Sequence, residues 1–170
     1  MQKIEVRCWL AGLGIFVLLI VSGLLIHADT QFNILDHQAA GSANKVNEIQ
    51  QEWSEGGVFS AVLASMFGDL IFIGVYSYGA VRAGISMRAH QSASIEAIGL
   101  LTVGAGVVFC LTDYAETIAQ IIQMYRGTGS DALAGFAATM QPIKSASFVI
   151  SVLAITLGIV TARYSSHRLD

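Results

Sequence analysis

Four stretches of this chain are apolar and long enough to cross a lipid bilayer, and no other feature constrains its fold as strongly. A span needs about 20 mostly apolar residues, because a helix rises about 1.5 Å per residue and the hydrocarbon layer is about 30 Å thick. The stretches cover residues 8–26, 58–81, 95–124 and 143–164. Inside lipid a segment must pair its own backbone N–H and C=O groups, so each is expected to be an α-helix. The pattern predicts an all-α fold: an integral membrane four-helix bundle with an additional extramembrane helix between the first and second spans. Residues 1–170 read as a single membrane domain, because no connecting loop is long enough to enclose a core of its own.

Composition agrees with the spans. Only 12 % of the residues are charged, against about 25 % in an ordinary soluble domain. Nine basic and twelve acidic residues give a net charge of −3. That balance removes any electrostatic case for nucleic acid.

The first stretch follows Lys3 and Arg7, as a signal peptide would. Its apolar run is longer than a typical signal core, and Ile26-His27-Ala28-Asp29 makes a weak cleavage site, so a retained helix is expected. Cys8 follows a polar start rather than an apolar leader, which argues against a lipid anchor; Cys8 and Cys110 are too far apart in the spans to suggest a bridge. Pro142 is expected in the first turn of the fourth span, where a helix tolerates proline best. Lys3, Arg7, Arg82, Arg88, Arg163 and Arg168 fall on one side of the bilayer and Lys45, Arg126 and Lys144 on the other. Basic residues concentrate in cytoplasmic segments. Both termini are therefore expected in the cytoplasm, with the chain in a bacterial inner or plasma membrane.

Residues 27–57 form the one sizeable polar stretch. Phe32, Leu35, Ala39, Ser42, Val46, Ile49 and Trp53 recur at alternating intervals of three and four, the spacing of one narrow helical face. An amphipathic helix over about residues 30–54 is expected outside the membrane, capped by Asp29 or Thr30 and ended by Gly56-Gly57. Its stripe has two readings. It lies over its own bundle or the bilayer surface, or Leu35, Val46, Ile49 and Trp53 form an interaction surface for a second copy or another subunit. Its acidic polar face favours a protein surface over anionic lipid.

Three acids fall inside the spans: Asp69 in the second, Asp113 and Glu116 in the third. At about 1.5 Å per residue they reach a common depth near the membrane centre. Asp113 and Glu116 share a helix face, which Thr102, Gly106, Cys110, Thr117 and Gln120 extend. Ser65, Asp69, Phe72 and Tyr76 form a similar face on the second span, and Lys144, Ser147, Ser151, Ala154, Gly158 and Thr161 one on the fourth. A bundle that turns these faces inward keeps its apolar residues toward lipid. A carboxylate at the membrane centre costs about 2.5–3.5 kcal/mol on insertion scales. Three in one layer must be protonated, paired or bound to a cation. Lys144, expected near the outer interface, reaches toward Glu116 and does not neutralise all three. Tyr76 and Tyr114 are placed to donate to a carboxylate.

No HExxH, paired CxxC, Walker or G-x-S-x-G sequence occurs, and the four histidines are scattered. No metal and no cofactor is expected. Two functional readings follow. In the first, Asp69, Asp113, Glu116, Tyr76 and Lys144 bind a cation, a proton or a small ligand, lipophilic ones included, inside the bundle; acid/base chemistry on a lipid-like substrate is a variant of this reading. In the second, the protein is a non-catalytic accessory or assembly subunit of a larger membrane complex, or a homo-oligomer, docking through the outer stripe. The lipid bilayer is a partner in either case.

Overall fold

The computed structural model describes residues 4–90 and 92–167. Lys3 and Arg168, two of the basic residues that set the expected orientation, lie outside them. The chain forms α1 (Arg7–Ile26), α2 (Ile34–Gln38), α3 (Ala43–Glu55), α4 (Phe59–Arg88), α5 (Ala93–Arg126) and α6 (Asp131–His167). No strand occurs among the described residues. Helices α1, α4, α5 and α6 are each long and apolar enough to cross a membrane, so the chain is a multi-pass membrane protein with lipid around its outward faces. α4, α5 and α6 have 30, 34 and 37 residues. At about 1.5 Å per residue they outreach a hydrocarbon layer of about 30 Å and carry their polar ends beyond it.

The four long helices pack in the order α1, α4, α5, α6, with α5 between α4 and α6. α1 lies along α4 and is the least buried of the four. It reaches α6 through Phe16, whose ring centroid is 5.0 Å from that of Phe148. The contact of α1 with α4 is close because both helices offer glycine. A Cβ on Gly12 would meet the backbone of Tyr76, and one on Gly79 would meet the backbone of Cys8 and Trp9. Small residues at such crossings let membrane helices approach to backbone contact, where dispersion forces replace the missing hydrophobic drive. The central core is aromatic: Phe72, Tyr76, Phe109 and Phe148 stack on one another with Ile73, Met87 and Ile155 around them.

α6 differs from the sequence expectation. It begins at Asp131, eleven residues before Pro142, so the proline lies within the helix rather than in its first turn. Ala132, Leu133, Ala134, Ala137 and Ala138 form helix strongly enough to carry the chain through the proline. Pro142 has no N–H to donate to the carbonyl of Ala138. The start at Asp131 moves Lys144 to about 20 Å along the helix, toward the membrane centre and away from its end.

The segment between the first and second spans is helical, as expected, and is divided. Asn33 caps α2, accepting from the backbone of Leu35, while Asp36 accepts from the backbone N–H of Asn33. The caps expected at Asp29 and Thr30 are therefore replaced by Asn33. Gly41 then takes a left-handed φ of 67°, which a residue without Cβ adopts at little cost. Ser42 caps α3. Val46, Ile49 and Trp53 are buried within the chain, Ile49 and Trp53 packing with Val62, Met66 and Met124 of the bundle. Leu35 alone of the four stripe residues is exposed.

Trp53 holds this cap together. Its indole N–H donates to the Phe32 carbonyl, and its ring lies between His27 and His37, with centroids 5.4 and 5.1 Å away. His37 is 2 % exposed. Its Nε2 accepts from the side-chain amide of Gln50 at 3.2 Å, and its Nδ1 has no partner. Burial pushes the imidazole down to about 4 from 6.5, so the folded cap holds it neutral. The unfolded segment binds a proton more tightly, so the stabilisation is complete above pH 6.5 and is lost as pH falls toward 4. In a Trp9→Phe background, Trp53 fluorescence is expected to report a cap that melts at lower temperature at pH 4.5 than at pH 7.5. In His37→Gln that pH dependence shrinks; equal pH dependence with and without the imidazole would refute the assignment.

Candidate functional site

The inward faces of α4, α5 and α6 meet about halfway along the bundle. α5 contributes Asp113 and Glu116, both buried, with Thr102, Thr117 and Gln120 on the same buried face. α6 contributes Lys144, whose side chain is 11 % exposed. α4 contributes Asp69. Each of the three acids lies about 15–20 Å from the end of its helix nearest α3, counted from Phe59 or Arg126. The common depth read from the sequence is thus reproduced.

The layer is wired asymmetrically. Lys144 Nζ donates to Asp113 Oδ1 at 2.8 Å and sits 3.1 Å from Glu116 Oε1. Gln120 donates to the same Glu116 oxygen at 3.0 Å. The second oxygen, Glu116 Oε2, is buried without a partner. Asp69 accepts from the Thr117 hydroxyl at 3.0 Å and has no direct ion pair among the described residues. Three carboxyls therefore face a single ammonium, which offsets one negative charge. In this low-dielectric setting the rest is carried by protons or by a bound cation.

Lys144 pairs with two acids and not one because α6 starts earlier than the sequence suggested. An interfacial lysine reaching down becomes a lysine at the level of its partners. Tyr76 corrects in the opposite direction. Its hydroxyl bonds Ser151 Oγ at 2.6 Å and the Phe148 carbonyl at 3.4 Å, not a carboxylate. It stands seven residues past Asp69, about 10 Å further along α4, and Ser151 stands seven past Lys144 on α6. The two residues therefore meet in their own layer, below the acids. Tyr114 likewise donates to the Leu70 carbonyl.

A cavity of about 420 Å³ opens onto the acids. Asp69, Asp113, Gln120 and Lys144 form its polar floor, and Phe16, Phe72, Phe109 and Phe148 form apolar walls. Ile34, Leu35 and Gln38 of α2 lie over its far end. Of these walls the sequence places only Phe72 on an inward face; Phe16, Phe109 and Phe148 escape it because phenylalanine carries no contrast within an apolar span. One signal was present: Phe72, Phe109 and Phe148 stand three or four residues from Asp69, Asp113 and Lys144, so each charged residue has an aromatic neighbour one turn away on its own face. Val46, Ile49 and Trp53, on α3, do not line this cavity.

Fold and site together define a multi-pass membrane protein of four long helices, with a buried acid–lysine layer under an aromatic cavity. Compared with known proteins, the chain matches no family, no curated protein and no solved structure.

Proposed function

We propose that this protein binds a cation, a proton or a small ligand at the layer of Asp69, Asp113, Glu116 and Lys144. The observation that carries the reading is the cavity of about 420 Å³ whose floor includes Asp69, Asp113 and Lys144, with Glu116 held behind them by Lys144. Packing alone would favour filling such a space, and a purely structural polar network would pair its members more completely. Asp69 faces the cavity without a counter-ion, and the Glu116 oxygen left unpartnered adds to the excess of acid. Intramembrane carboxyls of this kind characteristically serve ligand, ion or proton sites. The distribution of basic residues supports placing both termini in the cytoplasm, with α2 and α3 on the opposite side. The accessory-subunit reading draws less support, since of its four docking residues Leu35, Val46, Ile49 and Trp53 only Leu35 is exposed.

The test uses dicyclohexylcarbodiimide, a lipophilic reagent that modifies protonated carboxyls in apolar surroundings. Asp69 is expected to be modified in the protein in nanodiscs, with the rate falling as pH rises and the carboxyl deprotonates. Asp69→Asn removes the modification and Asp113→Asn slows it. Both variants should keep their thermal stability within about 1 kcal/mol, because an amide preserves the hydrogen bond to Thr117 or Lys144. If no carboxyl of the layer reacts at any pH, or if both amide variants unfold, the acids are structural and the reading fails.

A further inference from the structure

The cavity has one thin wall. α4 and α5 back it with helix-on-helix packing, but α1 and α6 are the two ends of the helix row and do not pack along each other. Beside the Phe16–Phe148 contact the cavity is lined by Ile20 of α1 and by Ser145 and Val149 of α6. Ile20 is 50 % exposed and Val149 is 53 % exposed. Residues that line an internal cavity and are also half open to the outside mark a seam. This seam faces the hydrocarbon layer, because both residues stand well inside their spans. A molecule that enters here comes from the bilayer and must be lipophilic.

The chemistry of the interior narrows the class. The walls offer four phenylalanine rings, whose faces attract cations. The floor carries the carboxyls of Asp69 and Asp113 against one ammonium, and that ammonium is already held by Asp113 and by Glu116 behind it on the α5 side. Asp69, on α4, is left as the acceptor for a positive group. An anionic head would meet this excess of acid. A neutral molecule would leave it uncompensated. A protonated amine would replace a proton on the layer with an ammonium and place its hydrocarbon among the rings.

We infer that the cavity takes a lipophilic amine directly from the bilayer, admitted between α1 and α6, with its nitrogen on Asp69 and its hydrocarbon against Phe16, Phe72, Phe109 and Phe148. The inference rests on the acidic layer being a binding site, and it specifies what binds there and by which route.

Three rigid probes of one shape separate the possibilities: 1-adamantanamine, 1-adamantanol and 1-adamantanecarboxylate. Each is tested for protection of Asp69 against carbodiimide in nanodiscs. The amine is expected to protect at concentrations at least about tenfold below the alcohol, reflecting an ion pair and cation–π contact. The carboxylate should not protect. Ile20→Trp and Val149→Trp, which fill the seam without touching the floor, should slow both carbodiimide entry and amine protection by about tenfold, the size of a modest barrier increase. If Asp69 is modified but all three probes protect alike, the cavity is a general apolar site and the amine assignment is overturned. If Asp69 is modified and none protects, amine binding is overturned while the carboxyl site stands. If the tryptophans leave both rates unchanged, the lateral route is overturned. If another carboxyl of the layer reacts but Asp69 does not, the placing of the nitrogen on Asp69 is overturned; if no carboxyl of the layer reacts, the underlying site fails as well.

Discussion

Lys144→Met should lower the stability of the protein by about 3–5 kcal/mol at pH 8, the usual cost of removing one partner from a buried ion pair. Methionine has nearly the same length and reach, so packing is largely preserved and the loss is electrostatic. Two carboxyl oxygens, Asp113 Oδ1 and Glu116 Oε1, lose the donor now 2.8 and 3.1 Å away. No other ammonium or guanidinium among the described residues forms an ion pair in the layer. The deficit should shrink at pH 5, because protons can then take the place of the missing cation. It should shrink also in Lys144→Met combined with Asp113→Asn, which removes one of the stranded charges. Thermal melting in one detergent at both pH values checks this. Equal stability of Lys144→Met and wild type at pH 8 would show that the three acids never carried net charge against Lys144.

Gly79→Val is expected to detach α1 from α4. The added carbons would meet the backbone of Cys8 and Trp9 rather than a movable side chain end, so one helix must shift. Overpacking of this kind costs about 1–3 kcal/mol where side chains yield, and more where backbone is involved. Gly14→Val provides the control on the same helix pair, since a Cβ there meets nothing within 4 Å. It should be neutral or slightly stabilising, because valine has a better helix propensity than glycine. In a Cys110→Ala background the Cys8 thiol, partly buried on a residue whose backbone lies against Gly79 of α4, reports the outcome. Its alkylation should accelerate in Gly79→Val and remain at the wild-type rate in Gly14→Val. Equal rates in the three proteins would mean that the glycine crossing does not hold α1 in place.

Much of this architecture is legible in the residues because bilayer physics leaves few options. Apolar length gave the four spans, and the three- and four-residue spacing of Asp113, Glu116, Thr117 and Gln120 gave the buried face of α5. The depth of the acids followed from the helical rise alone. The partner of those acids was less legible. Pro142 carries a strong helix-start signal, and the helix propensities of Ala132 to Met140 outweigh it only collectively, so the sequence places Lys144 nearer the helix end than α6 does. Gly41 broke a stripe that otherwise read as continuous, because periodicity records side-chain spacing and is blind to a single left-handed residue. Tyr76 shared a face with Asp69, but sharing a face says nothing of level, and two turns separate them. The cavity itself had no sequence signature beyond the aromatic residues beside each charge.

The one-sided attachment of α1 has a consequence for how the molecule responds to its surroundings. Since α1 is fastened to α4 and meets α6 through the Phe16–Phe148 ring pair without packing along it, the proposed seam beside Ile20 and Val149 would be sealed by acyl chains rather than by protein. The width of that seam is then set by lateral pressure in the hydrocarbon layer, and its height by the thickness of the bilayer. Lipids with short or unsaturated tails and those with long saturated tails would present the same polypeptide with differently shaped cavities, making membrane composition a determinant of the site equal in standing to the side chains that line it.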